Sequence, residues 1–147
     1  MSIKFEDNVV DLTDSKKLKH WTSVSLRFSD QDSLGHINNV SYAAYVEQAR
    51  VEFIDKIVNI KGDHVNYLLA NLHIDYRREL HFPGKIDVGA CLLKVGTKSI
   101  TTGYGLFKDE INVATASSVN VFFDPSTRKS IAIPENLRVA LDRELTG

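Results

Sequence analysis

The spacing of hydrophobic and polar positions changes character along the chain, and each change predicts a new element. Residues 20–28 read as a first strand, and 29–38 as a loop of small and polar residues. From residue 39 to about 58 there is no Pro or Gly. Tyr42, Val46, Ala49, Phe53 and Ile57 recur there close to the i, i+3, i+4 spacing of one helix face. Val40, Ala43, Ala44, Tyr45 and Val46 leave the first half of this helix few polar positions, and a helix apolar nearly all round is normally enclosed by other structure. Gly62 is placed to end the loop that follows.

Period two then takes over. Leu68, Ala70, Leu72, Ile74 and Tyr76 alternate with Leu69, Asn71, His73, Asp75 and Arg77, the mark of a half-buried strand. Pro83-Gly84 supplies turn chemistry, a third strand covers about 85–95, and Gly96-Thr97 turns the chain again. Ile100, Thr102, Tyr104 and Leu106 make one face of a fourth strand. Val113, Thr115, Ser117, Val119, Val121 and Phe123 make one side of a fifth, which Asp124-Pro125 breaks. Pro134 opens a short C-terminal helix through Leu137, Leu141 and Leu145.

The order of strand, long helix and four strands predicts an α+β architecture, an antiparallel sheet of about five strands curled around one central helix. One helix cannot cover both faces of such a sheet, and an open sheet edge invites a partner. Dimerisation through the edge or through the helix face is therefore expected. Residues 1–147 read as a single domain, with 1–20 as an N-terminal extension, either a solvated tail or a strand that packs late.

Bulk properties narrow the function. Lys+Arg 18 against Asp+Glu 19 leaves no basic field to recruit nucleic acid. Neither an export signal nor a membrane span is read in the sequence, and the single cysteine, Cys91, offers neither a disulfide nor a thiolate cage, which together suggest a cytoplasmic protein. Cys91 reads as a small core residue. The histidines at 20, 36, 64, 73 and 81 are scattered in sequence and show no metal-ligand spacing, so no metal is expected. A phosphate-cradling Gly loop and a Ser-His-Asp elbow are both missing.

The chemically suggestive stretch is the loop before the helix, Asp30-Gln31-Asp32-Ser33-Leu34-Gly35-His36-Ile37-Asn38-Asn39. A carboxylate there lies near free backbone N–H groups at the positive end of a helix dipole. One place could then activate a water and receive a developing oxyanion. Asn38 and Asn39 suit helix caps and loop braces, and Gly35 permits a tight backbone.

Together with Arg27 and Phe28 before it, and Tyr42, Tyr45, Glu47, Ala49 and Arg50 after it, this run resembles the hotdog-fold acyl-CoA thioesterases of the 4-hydroxybenzoyl-CoA thioesterase-like group. Ile74-Asp75-Tyr76-Arg77-Arg78, Gly96-Thr97-Lys98-Ser99, Ala114-Thr115-Ala116 and Phe123-Asp124-Pro125 resemble further motifs of that group, in order, across about 23–141. Glu79 departs from it, standing where many relatives have Pro.

The resemblance implies a long helix wrapped by a curved sheet, two subunits joined edge to edge, and a homodimer or dimer of dimers with sites at the interface. It also implies hydrolysis of an acyl-CoA or acyl-carrier-protein thioester, with no cofactor beyond the coenzyme A carried by the substrate. By motif position Asp32 matches the catalytic carboxylate, as general base or as nucleophile. The alternative for Asp32 is a turn carboxylate satisfying local amides, and Asp30 is assigned structural work.

His36 either hydrogen-bonds the thioester carbonyl or braces the loop. Oxyanion donors are expected from backbone N–H groups around Asn39 and Val40. Glu47, an acid in an otherwise apolar helix stretch, pairs across the interface or assists catalysis. Tyr42, Arg77, Arg78, Lys94 and Lys98, with Thr97 and Ser99, are candidates for contacting substrate, the cations for its phosphates. Competing readings on the same fold are a non-catalytic acyl-CoA binder and a hydratase.

Overall fold

A computed structural model describes residues 2–5, 8–60 and 66–146. Gly62 and His64 lie outside the described residues. In chain order the elements are β1 (Ser2–Phe5), β2 (Asn8–Asp11), β3 (His20–Ser25), α1 (Asn39–Ile60), β4 (Asn66–Tyr76), β5 (Lys85–Val95), β6 (Ser99–Lys108), β7 (Ile111–Asp124), β8 (Lys129–Ser130) and α2 (Glu135–Thr146).

β3 to β8 form one antiparallel sheet in the order β3-β5-β6-β7-β4, with β8 added beside β7. The expected architecture holds, with a two-residue strand more than the five anticipated. α1 lies on the inner face. Tyr42, Val46, Ala49, Phe53 and Ile57, the stripe legible as a helical period, are buried there with Tyr45, Ile86, Val88, Ile100, Leu106 and Phe122. Each large apolar side chain enclosed in this way contributes roughly 1.5–3 kcal/mol.

Two strands depart from the simple alternation. In β7 the helix-facing positions are Ala114, Ala116, Ser118, Asn120 and Phe122, which alternate with the series grouped on one side from the sequence. Apolarity alone does not mark the inward side here, because small and polar residues lie under α1. The Thr102 hydroxyl lies 2.6 Å from the Tyr104 hydroxyl and 2.7 Å from that of Ser118. Asn120 donates to Ser118 at 3.1 Å and accepts from the buried Arg50 guanidinium at 3.1 Å. These partners offset the cost of burying polar groups. In β4 a register shift between Leu69 and Asn71 switches the inward face, so Tyr67 before it and Leu72 and Ile74 after it meet the core, while Leu68 stays half exposed.

The outer face of β5 and β6 is covered by the chain's own beginning. Val10, Leu12 and Leu18 pack on Cys91, Leu93 and Phe107, so this part of the N-terminal extension is a packed segment, not a solvated tail. A Cβ on Gly105 would fall 2.4 Å from the Leu12 carbonyl oxygen, which makes glycine a requirement for that approach. Burial pushes the Cys91 thiol up to about 11, so it is an inert core group as expected.

Candidate active site

The loop between β3 and α1 is built around two aspartates with opposite surroundings. A short 3-10 turn, Phe28–Asp30, buries Asp30 beneath the start of α1. Its Oδ2 accepts the Tyr45 hydroxyl at 2.7 Å and the Arg27 amide at 3.0 Å, and its Oδ1 accepts Arg27 Nε at 3.1 Å. The Asp30 carbonyl accepts the Asn38 amide at 2.8 Å, tying the far end of the loop back on itself. Burial by itself would raise the Asp30 pKa. The Tyr45 hydroxyl and the Arg27 groups outweigh it and hold the carboxyl below its ordinary range. The structural work assigned to Asp30 is visible in these bonds.

Asp32, by contrast, is exposed. Its Oδ1 accepts the amides of Leu34 at 2.9 Å and His36 at 3.1 Å, and its own amide donates to the His36 carbonyl at 2.8 Å. Gly35, at φ 82°, makes the reversal that this small ring needs. Local amides thus hold one carboxylate oxygen and fix the direction of the other.

The helix start follows. Asn38 caps α1 by accepting the Val40 amide on Oδ1 at 2.9 Å, and its carbonyl takes the Ser41 amide at 2.9 Å. This corrects the assignment of Val40, whose N–H is already occupied. Among the described residues, the Asn39 N–H is the helix-start amide with no such acceptor. The Asn39 carbonyl accepts the Tyr76 hydroxyl at 3.0 Å.

Asp32, His36, Asn39, Tyr42, Arg77 and Arg78 line one cleft of about 290 Å³ together with Tyr76 and Glu79. Tyr42 closes its inner wall. Its hydroxyl donates to the Arg78 carbonyl at 3.3 Å, its ring meets Tyr76 edge-on at 4.9 Å, and burial, with Tyr76 and Glu79 nearby, pushes its pKa up to about 12. Arg77, Arg78 and Glu79 are shared with an adjoining groove of about 630 Å³, which Lys108 and His81 also line. Lys108 reaches across it to the Pro83 carbonyl at 2.7 Å.

Other predicted residues do not gather here within the protomer. Glu47 is exposed, eight residues along α1 from Asn39, or about 12 Å at 1.5 Å per residue. Thr97, Lys98, Ser99 and Lys94 stand at the other end of β5 and β6, roughly 30 Å away at about 3.3 Å per strand residue. The turn there has structural partners. Its Thr97 carbonyl accepts Ile133 N–H at 2.9 Å, the Gly96 carbonyl accepts the Arg138 guanidinium, and Lys98 reaches the Ser130 hydroxyl at 3.4 Å.

Glu79, His81, Tyr76 and Lys108 were missed as site residues. The hint for the first two was a run of charged and histidine residues, Arg77-Arg78-Glu79-Leu80-His81, in a connection where a tight polar turn would have sufficed. The fold also gathers histidines that sequence spacing kept apart, since the His36 and His81 rings lie 5.0 Å from each other.

A profile of the thioesterase-like superfamily matches residues 26–141. The chain belongs to that superfamily. Membership sets it among the thioester hydrolases. It is similar to YsmA of Bacillus subtilis, 29% identical over 86 residues, a stretch that spans 57% of this chain and 58% of that protein. It is also similar to the long-chain acyl-CoA thioesterase FadM of Escherichia coli, 25% identical over 83% of this chain and 96% of FadM. The fold matches that of a thioesterase from Thermus thermophilus solved in complex with coenzyme A and Zn. That match has a TM-score of 0.75 and 24% identity, over 86% of this chain and 95% of that one. Among the described residues of this thioesterase-like chain, no helix is long and apolar enough to cross a membrane.

Proposed function

We propose that the protein hydrolyses an acyl-CoA thioester to the free acid and coenzyme A, with Asp32 as general base. The observation that carries this reading is the shared cleft, in which an exposed carboxylate and the first turn of α1 face one space. With Oδ1 occupied by loop amides, the second oxygen of Asp32 is the one that takes a proton from water. The hydroxide equivalent attacks the thioester carbonyl, and the developing oxyanion is received by the Asn39 N–H at the positive end of the helix. Collapse expels coenzyme A as its thiolate. A thiol pKa of about 8.5 makes a dedicated general acid dispensable. His36, on the rim of the cleft, helps to position the carbonyl or the water.

In this reading Arg77 and Arg78, which line both cleft and groove, bind the phosphates of coenzyme A. The coenzyme A named for the Thermus thermophilus relative and the acyl-CoA substrate in the name of FadM support that choice over a carrier protein.

The working unit in this reading is a homodimer. β4 is one of the two edge strands of the sheet, and Leu68, Leu69, Val40 and Val51 are each between 37% and 75% exposed in the single chain. A second chain along β4 and the outer side of α1 would cover them, and could bring its own Glu47 or its Thr97–Ser99 turn toward the cleft. Release of free thiol from a panel of short, long and aromatic acyl-CoAs tests the activity, with Cys91→Ser removing background thiol. Tight calorimetric binding of acyl-CoA without thiol release would overturn hydrolysis in favour of a binder. Light scattering of the eluted protein tests the dimer, and a monomer at all concentrations would refute it.

A further inference from the structure

Three side chains at the rim of the cleft meet in a way that their spacing in sequence does not announce. His36 comes from the loop before α1, and Glu79 and His81 come from the connection between β4 and β5. Glu79 Oε2 lies 3.5 Å from His36 Nε2 and 3.4 Å from His81 Nε2, and one ligand atom from each residue falls within 4.8 Å of the others. His81 Nδ1 is 3.3 Å from the Gly35 carbonyl oxygen, which can only accept, so Nδ1 carries the ring proton. In the neutral ring this leaves the lone pair on Nε2, turned toward a carboxylate oxygen. A backbone carbonyl on the far nitrogen is the usual means of orienting a metal-ligating histidine.

Two electron-rich atoms facing each other at 3.4 Å call for a cation. A metal ion placed between them would serve all three groups at once. The two His–Glu distances agree. Ligand atoms about 2.0–2.1 Å from a tetrahedral ion lie about 3.3 Å from each other. We propose that His36, Glu79 and His81 form a binding site for a divalent transition-metal ion of the zinc class, joining the loop before α1 to the β4–β5 connection. Two imidazoles and one carboxylate favour zinc, cobalt, nickel or copper over magnesium and calcium, which prefer all-oxygen shells. Three protein ligands also leave coordination positions for water. The side chains are 35%, 66% and 53% exposed, so an ion reaches them without unfolding, and replacing any one leaves the core intact.

The site shares His36 and the rim of the cleft with the proposed hydrolytic site, but its test needs no substrate. Zinc chloride titrated into the full-length protein by calorimetry should show one ion per chain. Zinc should raise Tm reversibly, with chelator restoring the original value, because the ion binds the folded state. Magnesium and calcium should do neither. His81→Asn and Glu79→Gln should each weaken zinc binding at least ~10-fold, the loss that follows even from disturbing a ligand's hydrogen-bond partner. His73→Asn, which removes the separate His73–Asp75 pair, should leave binding unchanged.

In the unaltered protein, paramagnetic cobalt should shift or broaden the imidazole resonances of His36 and His81 and spare those of His20 and His73. Zinc affinity that survives both His81→Asn and Glu79→Gln, or cobalt effects confined to other histidines, would overturn the proposal. So would the absence of any saturable zinc binding.

Discussion

The two halves of the loop before α1 carry the same acid two residues apart and use it in opposite ways. At Asp30 the carboxylate is buried, both oxygens are engaged, and the nearby Tyr45 hydroxyl and Arg27 keep it ionised. At Asp32 the carboxylate is exposed at a cleft and only one oxygen is held by local amides. The comparison teaches that the same acid can hold a loop in place or be held by it. Asp30 anchors the loop to α1, and that anchor is what gives the free oxygen of Asp32 a fixed direction.

The largest expected effect comes from breaking the anchor. Asp30→Ala leaves the Tyr45 hydroxyl and Arg27 without their acceptor and should cost about 3 kcal/mol, the upper range for hydrogen bonds to a charged group. For a chain of this size that is roughly 10 °C in Tm, readable by calorimetry. Asp32→Asn should do the reverse. It keeps an oxygen for the Leu34 and His36 amides, so the unfolding free energy should stay within ~0.5 kcal/mol of the parent, the range of ordinary surface changes. Its kcat should fall at least ~10²-fold in thiol release, the lower scale for losing a general base. Full turnover by that variant would remove Asp32 from the chemistry.

Acid titration sharpens the contrast next. Because the native fold holds the Asp30 carboxyl below its ordinary range, the unfolded chain binds the proton more readily. The contribution is complete above pH ~4, the ordinary aspartate value, and drains away as pH falls through the native one. Asp30→Asn should flatten this acid limb in urea melts taken across pH. A smaller effect belongs to the cap. Asn38→Ala frees the Val40 amide and should cost about 1 kcal/mol. Gly35→Ala, at φ 82°, should cost a similar ~1 kcal/mol from left-handed strain, with open space around the added methyl.

Much of this was legible from local pattern. The α1 stripe, the limits of β5 and the Asn38 cap each rest on residues within a turn or a strand of one another, so period and capping chemistry suffice. The helix-facing side of β7 was not legible locally, because its Ser118 and Asn120 answer to Arg50, Thr102 and Tyr104, not to their own neighbours. The site divided in the same manner. Asp32, His36 and Asn39 lie in one motif, and Arg77 and Arg78 in another. Nothing local said that Glu79 would meet His36 or that the Thr97 turn would stand far from both.

What the sequence alone determined is therefore the two helices, the five main strands and the loop proposed to carry the chemistry, because these depend on side-chain periods and backbone preferences a few residues long. What only the tertiary structure decided is which aspartate is buried, which face of β7 meets the helix, and which histidines share a carboxylate. Those outcomes depend on chain segments distant in sequence competing for the same space, and register shifts such as that in β4 move whole strand faces without altering the apolar count.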